Sequence, residues 1–293
     1  MEMRKENFKI DFAGIGAEKC ATTWVYRCLQ EHPELHLMPK DNKKGAWFWS
    51  SSKDEDTKEF YEFFLNKAKP DQKLGEYNNY YMRKEGVIQR MKNHNPDIKL
   101  IVSLRDPVER AWSAYLHHYS LSTEEEGWES FNKAKNKLPE TIIEPGFYYQ
   151  YLGKYFDSFP EENIFILLVD DIKKDPVGSI QNIYDFLEVD DNFVPSKAKT
   201  KVGTSKFKMT GLGKFVHQKM TPALKKTKLG WLVNESSLLG KVFYPLVQFY
   251  ARLANPGLNM SLEVKKKLYN TYEEDADKLE ELINRNLDSW KYE

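Results

Sequence analysis

A lysine and two threonines lie between an apolar run and the start of a predicted helix. The segment Gly14–Trp24 reads GIGAEKCATTW. Its glycines allow a tight turn, and the N–H groups at the start of a helix attract anions. Lys19 would add a point charge, and Thr22 and Thr23 would add hydroxyl donors. Residues of these types at this spacing predict a site that binds a phosphate group.

The same residues leave two other interpretations open. One is an ordinary turn between a strand and a helix, with an exposed lysine. The other is the nucleoside-triphosphate loop GxxxxGK[ST] of a magnesium-dependent nucleotide kinase. That loop needs a glycine before Lys19 and a serine or threonine after it to hold the metal, whereas Cys20 follows here.

A second candidate anion site follows the apolar run Lys99–Leu104, which we predict to be a strand. Arg105 comes directly after it, at the carboxyl end, where open α/β sheets bind ligands. Ser113 lies about two turns along the helix that Asp106 and Pro107 are expected to start. A guanidinium and a hydroxyl placed in this way can hold one phosphate. On these residues alone, Arg105 could equally pair with a carboxylate while Ser113 faces solvent.

Both segments resemble the nucleotide-binding motifs of sulfotransferases. The first is similar to their 5′-phosphosulfate loop, KxGTTxL or KSGTTW, with Ala21 where glycine is usual. An alanine can still donate its N–H there, but its side chain disfavours a positive φ. The second resembles the 3′-phosphate motif RDPxxRxxSxYxH and matches it at every fixed position: Arg105, Asp106, Pro107, Arg110, Ser113, Tyr115 and His117. The chain is therefore identified as similar to the sulfotransferase superfamily, closest to its bacterial and glycan-modifying branches.

This resemblance implies a donor and a set of binding residues. The donor would be 3′-phosphoadenosine-5′-phosphosulfate (PAPS), the product adenosine 3′,5′-bisphosphate, and no metal would take part. Lys19 would neutralise the leaving phosphate, and Trp24 would stack on adenine unless it is packed in the core. The residues implied to bind the nucleotide are Lys19, Cys20, Ala21, Thr22, Thr23, Trp24, Arg105, Ser113, Lys206 and Lys208.

The acceptor side is less well defined by the resemblance. A hydroxyl or amine acceptor must lose a proton, and Asp41 falls where glycan-modifying relatives place an acidic general base. The alternative for Asp41 is a solvated side chain between lysines, in which case His36, His117 or His118 would be the base. Aromatic residues in Trp47–Trp49 and Tyr77–Tyr81 suggest a pocket for a small molecule, although an aromatic core explains them as well.

Further blocks similar to the family extend the resemblance over most of the chain. Gly146, Tyr148 and Leu152 match a GxYxxxL pattern, which the resemblance assigns to securing the fold and positioning the nucleotide. Two positions depart from the family. Val169 replaces a tyrosine that contacts adenine in many relatives, and Tyr77 replaces a lysine expected near the acceptor. These departures keep open a non-catalytic protein that has retained the nucleotide pocket.

Strands must alternate with helices to position these residues. Apolar runs at Phe8–Gly14, Lys99–Leu104 and Ile164–Val169 predict strands, and helical periodicity follows each of them. This alternation predicts an α/β fold with a P-loop-like parallel sheet flanked by helices on both faces. Amphipathic segments at 262–272 and 276–286 predict a helical C-terminal third. With 293 residues and no linker-like segment, we expect one sulfotransferase domain over residues 1–293.

Composition narrows the expected partners and location. Lys+Arg and Asp+Glu number 44 each, so the formal net charge is +0 and the basic excess typical of proteins that bind nucleic acid or polyanionic glycans is missing. A local basic pocket stays open, and we expect no nucleic-acid partner. No run of about 20 apolar residues could span a membrane, and no signal peptide precedes the first predicted strand. Cys20 and Cys28 lack the spacing of a metal site. We therefore expect a cytoplasmic protein with a small-molecule acceptor, and the sequence leaves its oligomeric state open.

Overall fold

The computed structural model of the chain describes residues 9–38, 49, 67–118, 128–199, 260 and 262–292. At its centre is a five-stranded parallel sheet with the strand order β2-β3-β1-β4-β5. Its strands are β1 (Phe12–Gly16), β2 (Leu35–Leu37), β3 (Lys73–Tyr77), β4 (Lys99–Leu104) and β5 (Ile164–Leu168). Because β1 and β4 are parallel neighbours, the two predicted anion-binding segments leave the sheet side by side at its carboxyl edge.

Helices connect these strands and extend the fold beyond the sheet. They are α1 (Thr22–Glu31), α2 (Val87–His94), α3 (Pro107–His118), α4 (Trp128–Lys137), α5 (Pro139–Ile142), α6 (Tyr148–Phe156), α7 (Val169–Lys174), α8 (Pro176–Phe186), α9 (Leu262–Tyr269) and α10 (Glu273–Ile283). A short 3₁₀ turn at Ser196–Lys199 packs against α1. Within these described ranges, no helix is both long and apolar enough to cross a membrane.

The sheet is covered on both faces, as the alternation of strands and helices predicts. Leu100 and Val102 of β4 belong to one buried cluster together with residues of α2, α6 and α10. Ile101, which points to the opposite face, belongs to a second cluster with residues of α1 and α8. Successive residues of a strand face opposite ways, so each apolar run is buried on both sides. The predicted α/β class is confirmed.

A third buried cluster attaches the C-terminal helices to the edge of the sheet. It joins Val108 and Trp112 of α3 with residues of α4, α9 and α10. The chain then returns to the start of α3, where the hydroxyl of Tyr292 donates a hydrogen bond to Asp106. Trp290, almost completely buried, donates its indole N–H to Asp170 at 3.2 Å. The C-terminal segment therefore packs beside the β4–α3 junction.

Several boundaries differ from the sequence prediction. β1 runs from Phe12 to Gly16, two residues beyond the predicted end, and the run after β5 turns helical at Val169 because two aspartates favour a helix N-terminus there. The prediction did not include β2 or β3. β2 has only three residues, and β3 contains Gly75, where a Cβ would meet the Phe12 ring at 2.1 Å. The single-domain assignment stays a prediction.

Candidate functional site

The loop between β1 and α1 presents backbone donors to a ligand. Among the described residues no side chain caps the start of α1. The carbonyl of Ala21 accepts the N–H of Trp24 at 2.8 Å and that of Val25 at 3.2 Å. The N–H groups of the first two helical residues, Thr22 and Thr23, have no acceptor within a helix and point outward from its start. This end of α1 is therefore suited to binding an anion.

Two non-glycine residues of this loop adopt left-handed backbone conformations. Lys19 has φ 66° and Ala21 has φ 62°. Each such residue costs about 1–2 kcal/mol for an L-amino acid. Ala21 thus takes the positive φ that its side chain disfavours, at the position where the related motif carries glycine. The loop keeps the shape in spite of the alanine.

Lys19 lies in an electropositive, partly buried environment. Burial lowers the pKa of its ammonium group, and the charges of Arg110 and Arg105 lower it further, while Glu18 opposes them. Glu18 is itself buried and accepts a hydrogen bond from Arg83 Nη2 at 3.1 Å. An anion bound beside Lys19 would favour its charged form. Glu18 and Arg83 were not among the predicted site residues, because neither belongs to a motif.

Cys20 points away from the expected ligand and into the core. Its side chain is 0% exposed, and its Sγ lies 3.4 Å from the hydroxyl of Tyr148. Burial raises the pKa of this thiol. The N–H of Cys20 donates to the carbonyl of Ala17 at 3.3 Å. Its implied contact with the nucleotide stays a prediction, since both groups have partners within the protein.

Tyr148 connects the two segments that are predicted to bind anions. Besides contacting Cys20, its buried hydroxyl donates to the carbonyl of Arg105 at 2.8 Å. One hydroxyl at the start of α6 therefore ties the loop after β1 to the end of β4. The sequence assigned Tyr148 to a block that secures the fold, and its GxYxxxL pattern was the available signal for this contact.

Arg105 is held in place by acidic and basic neighbours. Its Nη2 lies 3.1 Å from Glu109, whose other oxygen accepts from Lys265 at 2.7 Å. Arg105 therefore pairs with a carboxylate, as one of the two interpretations of its sequence predicts. Its Nε is nevertheless buried and meets no acceptor in the described part of the chain. Ser113 lies half-buried further along α3. Arg105 keeps a donor for a ligand while Glu109 orients its guanidinium.

Asp106 caps α3 directly beside Arg105. Its Oδ1 accepts the N–H of Val108 at 2.8 Å, and its Oδ2 accepts the hydroxyl of Tyr292. Burial raises the pKa of this carboxyl to about 6, although both hydrogen bonds favour the ionised form. The predicted N-cap is present, and the C-terminal segment completes it.

A family model of the sulfotransferase domain matches residues 11–228. The chain belongs to the sulfotransferase family. Among its relatives, the membrane-associated sulfotransferase kil1 of Dictyostelium discoideum is 32% identical over 38% of this chain and 23% of the relative. The heparan sulfate glucosamine 3-O-sulfotransferase 3B1 of Mus musculus is 25% identical over 59% of this chain and 44% of the relative. The chain therefore spans less than half the length of both.

A solved structure supports the fold of this sulfotransferase chain. The crystal structure of a sulfotransferase from Alicyclobacillus acidocaldarius superposes with a TM-score of 0.66 at 23% identity. The match covers 96% of this chain and 98% of that one. The two chains therefore share the fold.

Other predicted residues of this sulfotransferase lie in the core or outside the described ranges. Trp24 is 5% exposed and donates its indole N–H to the carbonyl of Lys197 at 3.1 Å, so its stacking on adenine stays a prediction. Thr22 is buried, Thr23 is exposed, and His36 is partly buried in β2, where desolvation and Lys67 lower its pKa. The residues that lie outside the described ranges are Asp41, Lys206 and Lys208.

The aromatic residues suggested for an acceptor pocket are mainly core residues. Trp49, Tyr77 and Tyr81 are each less than 5% exposed, whereas Tyr80 is 40% exposed. The ring of Tyr77 lies against β1, where a Cβ on Gly14 would meet it at 2.2 Å. Tyr77 thus fills space beside the loop where a lysine was expected.

Proposed function

We propose that the protein transfers a sulfuryl group from PAPS to a hydroxyl or amine of a small-molecule acceptor. The observation that carries this proposal is the Tyr148 hydroxyl, which contacts Cys20 of the loop and the carbonyl of Arg105. This contact joins the two segments that we propose to bind the phosphate groups, at the carboxyl edge of the sheet. Membership of the sulfotransferase family supports the same reaction.

The residues present fit a nucleotide with two separate phosphate groups. The uncapped start of α1 and Lys19 suit the 5′ end, and the buried Nε of Arg105 suits a 3′-phosphate. A kinase using this loop would need a hydroxyl beside the lysine for magnesium. Cys20 cannot supply it, since its side chain is buried against Tyr148. PAPS is therefore favoured over ATP as the donor.

When bound, PAPS supplies the sulfuryl group. The bond between its sulfur and the bridging oxygen of the 5′-phosphate breaks as the sulfur forms a bond to the oxygen or nitrogen of the acceptor. Lys19 and the N–H groups of Thr22 and Thr23 would stabilise the negative charge that develops at the phosphate end. Arg105 and Ser113 would bind the 3′-phosphate and so keep the nucleotide in position. Asp41 would take the acceptor's proton. These roles need no metal, and within the described residues no group of His, Cys, Asp and Glu side chains has the arrangement of a metal site.

We further propose that the acceptor is a small molecule. The formal net charge of +0 offers no general attraction for a polyanion. Tyr80, exposed beside Glu18 and Arg83, provides an aromatic surface on the β3 side of Lys19. A glycan is the alternative suggested by the relative that is named for heparan sulfate. We also propose an intracellular location, supported by two free, buried cysteines.

Nucleotide binding tests the donor. Adenosine 3′,5′-bisphosphate should raise the unfolding temperature clearly, and ATP with magnesium should raise it much less, because only the former carries a 3′-phosphate. Arg105→Ala should abolish this preference. Arg285→Ala, which removes an exposed guanidinium paired with Asp171, is the matched control and should keep it. Equal stabilisation by ATP would favour the kinase interpretation and contradict the proposal.

Transfer itself is tested by mass spectrometry of acceptors incubated with PAPS. The panel should contain phenols, alcohols, amines and a heparan-type oligosaccharide, and we expect one SO₃ unit to be added to a small acceptor. Asp41→Asn should lower turnover by about 10²–10⁴-fold, the range for losing a general base. The exposed Asp71→Asn is its control. Modification of the oligosaccharide alone would replace the small-molecule acceptor by a glycan.

A further inference from the structure

Arg110 is a completely buried cation near the candidate site. It lies on α3 with 0% exposure, and its Nη2 donates to the carbonyl of Ile142. Its Nε and Nη1 are buried and meet no acceptor in the described ranges. No carboxylate of those ranges forms an ion pair with it. The motif that this segment resembles contains this arginine, but the motif alone does not explain why a charge is needed at this position.

A buried, uncompensated guanidinium is unfavourable for folding. The guanidinium of arginine stays charged in proteins. Moving its charge out of water without a counter-ion carries a large desolvation penalty. Its two polar partners, the carbonyl of Ile142 and the hydroxyl of Tyr272, are both neutral and offset that penalty only in part. A residue that served only to hold the Ile142 carbonyl would not need a permanent charge.

The field of Arg110 acts on the loop that binds the 5′ end. Its charge acts on Lys19, on Cys20 and on Tyr148, which bridges the loop to Arg105. Ser113, implied to hold the 3′-phosphate, follows three residues later on the same face of α3. The charge of Arg110 therefore acts on the loop after β1 from the helix that carries the proposed 3′-phosphate residues.

We propose that Arg110 is a positioning residue whose uncompensated buried charge attracts the phosphate groups of the donor nucleotide without contacting them. This inference rests on the proposed function, since it needs an anionic ligand above the loop. The bound anion then supplies the counter-charge that Arg110 lacks. Removing the charge should affect folding and binding in opposite directions, whereas removing a purely structural residue would weaken both.

Two substitutions separate the charge from the hydrogen bond. Arg110→Met removes the charge and keeps an apolar stem, while Arg110→Lys keeps the charge and loses the planar fork. The unfolding midpoint is measured without nucleotide, and the Kd of adenosine 3′,5′-bisphosphate is measured by calorimetry. Arg285→Met, at an exposed ion pair, is the control for loss of one positive charge.

Arg110→Met should raise the midpoint and weaken the nucleotide about 10- to 30-fold, the effect of one charge about 10 Å away at an effective dielectric of about 20. Arg110→Lys should keep the affinity within about threefold of wild type, since its charge remains. A lower midpoint for Arg110→Met would overturn the inference, whether the affinity falls with it, as for a purely structural residue, or stays unchanged. If that variant does not fold, a loss of affinity of tenfold or more, on that same scale, for Arg110→Lys would overturn it instead.

The wild-type protein distinguishes this inference from the proposed function. If it does not bind adenosine 3′,5′-bisphosphate, the proposed function fails, while the midpoints of the unliganded variants still test the buried charge. If wild type and Arg110→Met bind equally well, only the role of Arg110 fails.

Discussion

The loop after β1 and the β4–α3 segment bind an anion, as we propose, by opposite means. The loop uses backbone groups, with Lys19 and Ala21 in left-handed conformations and a helix start without a side-chain cap. The β4–α3 segment uses charged side chains on a regular helix that Asp106 caps. Where a loop residue contributes only its backbone N–H, as proposed for Ala21, its side chain can change, whereas Lys19 and the residues of the β4–α3 segment contribute side chains and are required themselves. This explains why the loop departs from the family motif at Ala21 and the second segment matches at every position.

The two segments also differ in what destabilises them. The loop after β1 is destabilised by the positive φ of two L-residues, which is a local conformational effect. In the β4–α3 segment it is the burial of ionisable groups, with Asp106 at 8% exposure and Arg110 at 0%. Relieving the positive φ in the loop, or removing a buried charge from the β4–α3 segment, should stabilise the unliganded protein. Only the effect of removing a charge should vary with pH or with a bound anion.

The largest expected effect is the loss of Lys19. Lys19→Met should lower turnover by about 10²–10³-fold, the scale for removing one preorganised group that stabilises developing charge. Nucleotide affinity should fall less, because the backbone N–H groups of α1 remain. Steady-state kinetics with PAPS measure both quantities, and Lys154→Met, an exposed lysine on α6, is the control. Unchanged turnover would show that the backbone of the loop is sufficient.

The pH dependence of stability tests the buried cap. The pKa of Asp106 is raised from 3.8 to about 6 on folding, so the folded state binds its proton more tightly than the unfolded state. Between these two pH values this group therefore makes the protein less stable as pH rises, by up to about 3 kcal/mol. Asp106→Asn has no such proton. Relative to wild type, its free energy of unfolding should rise between pH 4 and pH 7, as measured by urea titration.

The hydrogen bond between Tyr292 and Asp106 provides a second test of the buried cap. The hydroxyl of Tyr292 favours the ionised form of Asp106. Tyr292→Phe should therefore raise the pKa of Asp106 further and lower stability at pH 7 more than at pH 4. A constant difference at both pH values would mean that Asp106 is already ionised at pH 4.

Removing the hydroxyl that joins the two segments should have a moderate effect. Tyr148→Phe keeps the ring but loses the contacts with Cys20 and the Arg105 carbonyl. Affinity for adenosine 3′,5′-bisphosphate should fall about tenfold, the scale of one or two neutral hydrogen bonds. Tyr155→Phe is a matched control on the same helix, since its buried hydroxyl donates to the carbonyl of Tyr81 at 2.8 Å and not to a residue of either segment. Equal losses in the two variants would rule out a specific link.

The smallest expected effect is at Ala21. Ala21→Gly should raise the free energy of unfolding by about 0.5–1 kcal/mol, because relief of the positive φ exceeds the extra entropy of glycine in the unfolded chain. Gly153→Ala on α6 makes the reverse exchange in a right-handed helix, where the new Cβ has nothing within 4 Å. It should stabilise by a similar amount, about 0.5–1 kcal/mol. Destabilisation by Ala21→Gly would show that the methyl group itself packs favourably.

Much of the cofactor side followed from local sequence. Apolar runs, an N-cap followed by proline, and the two motifs predicted β4, α1 and the start of α3, and the structure has them at Lys99–Leu104, Thr22–Glu31 and Pro107. β2 and β3 did not follow, since a three-residue strand and a strand with Gly75 carry weak patterns. The proposed roles of Asp41, Lys206 and Lys208 stay predictions.

Local patterns define elements because backbone preference and burial periodicity act over a few residues. They cannot specify which distant side chains meet. The Tyr148 hydroxyl reaches Cys20 across 128 residues, and the Tyr292 hydroxyl reaches Asp106 across 186. The left-handed φ of Ala21 and the complete burial of Arg110 depend likewise on packing between separate elements. The residues proposed to bind the anion could therefore be selected from the sequence, whereas their orientation, protonation and mutual contacts required the folded structure.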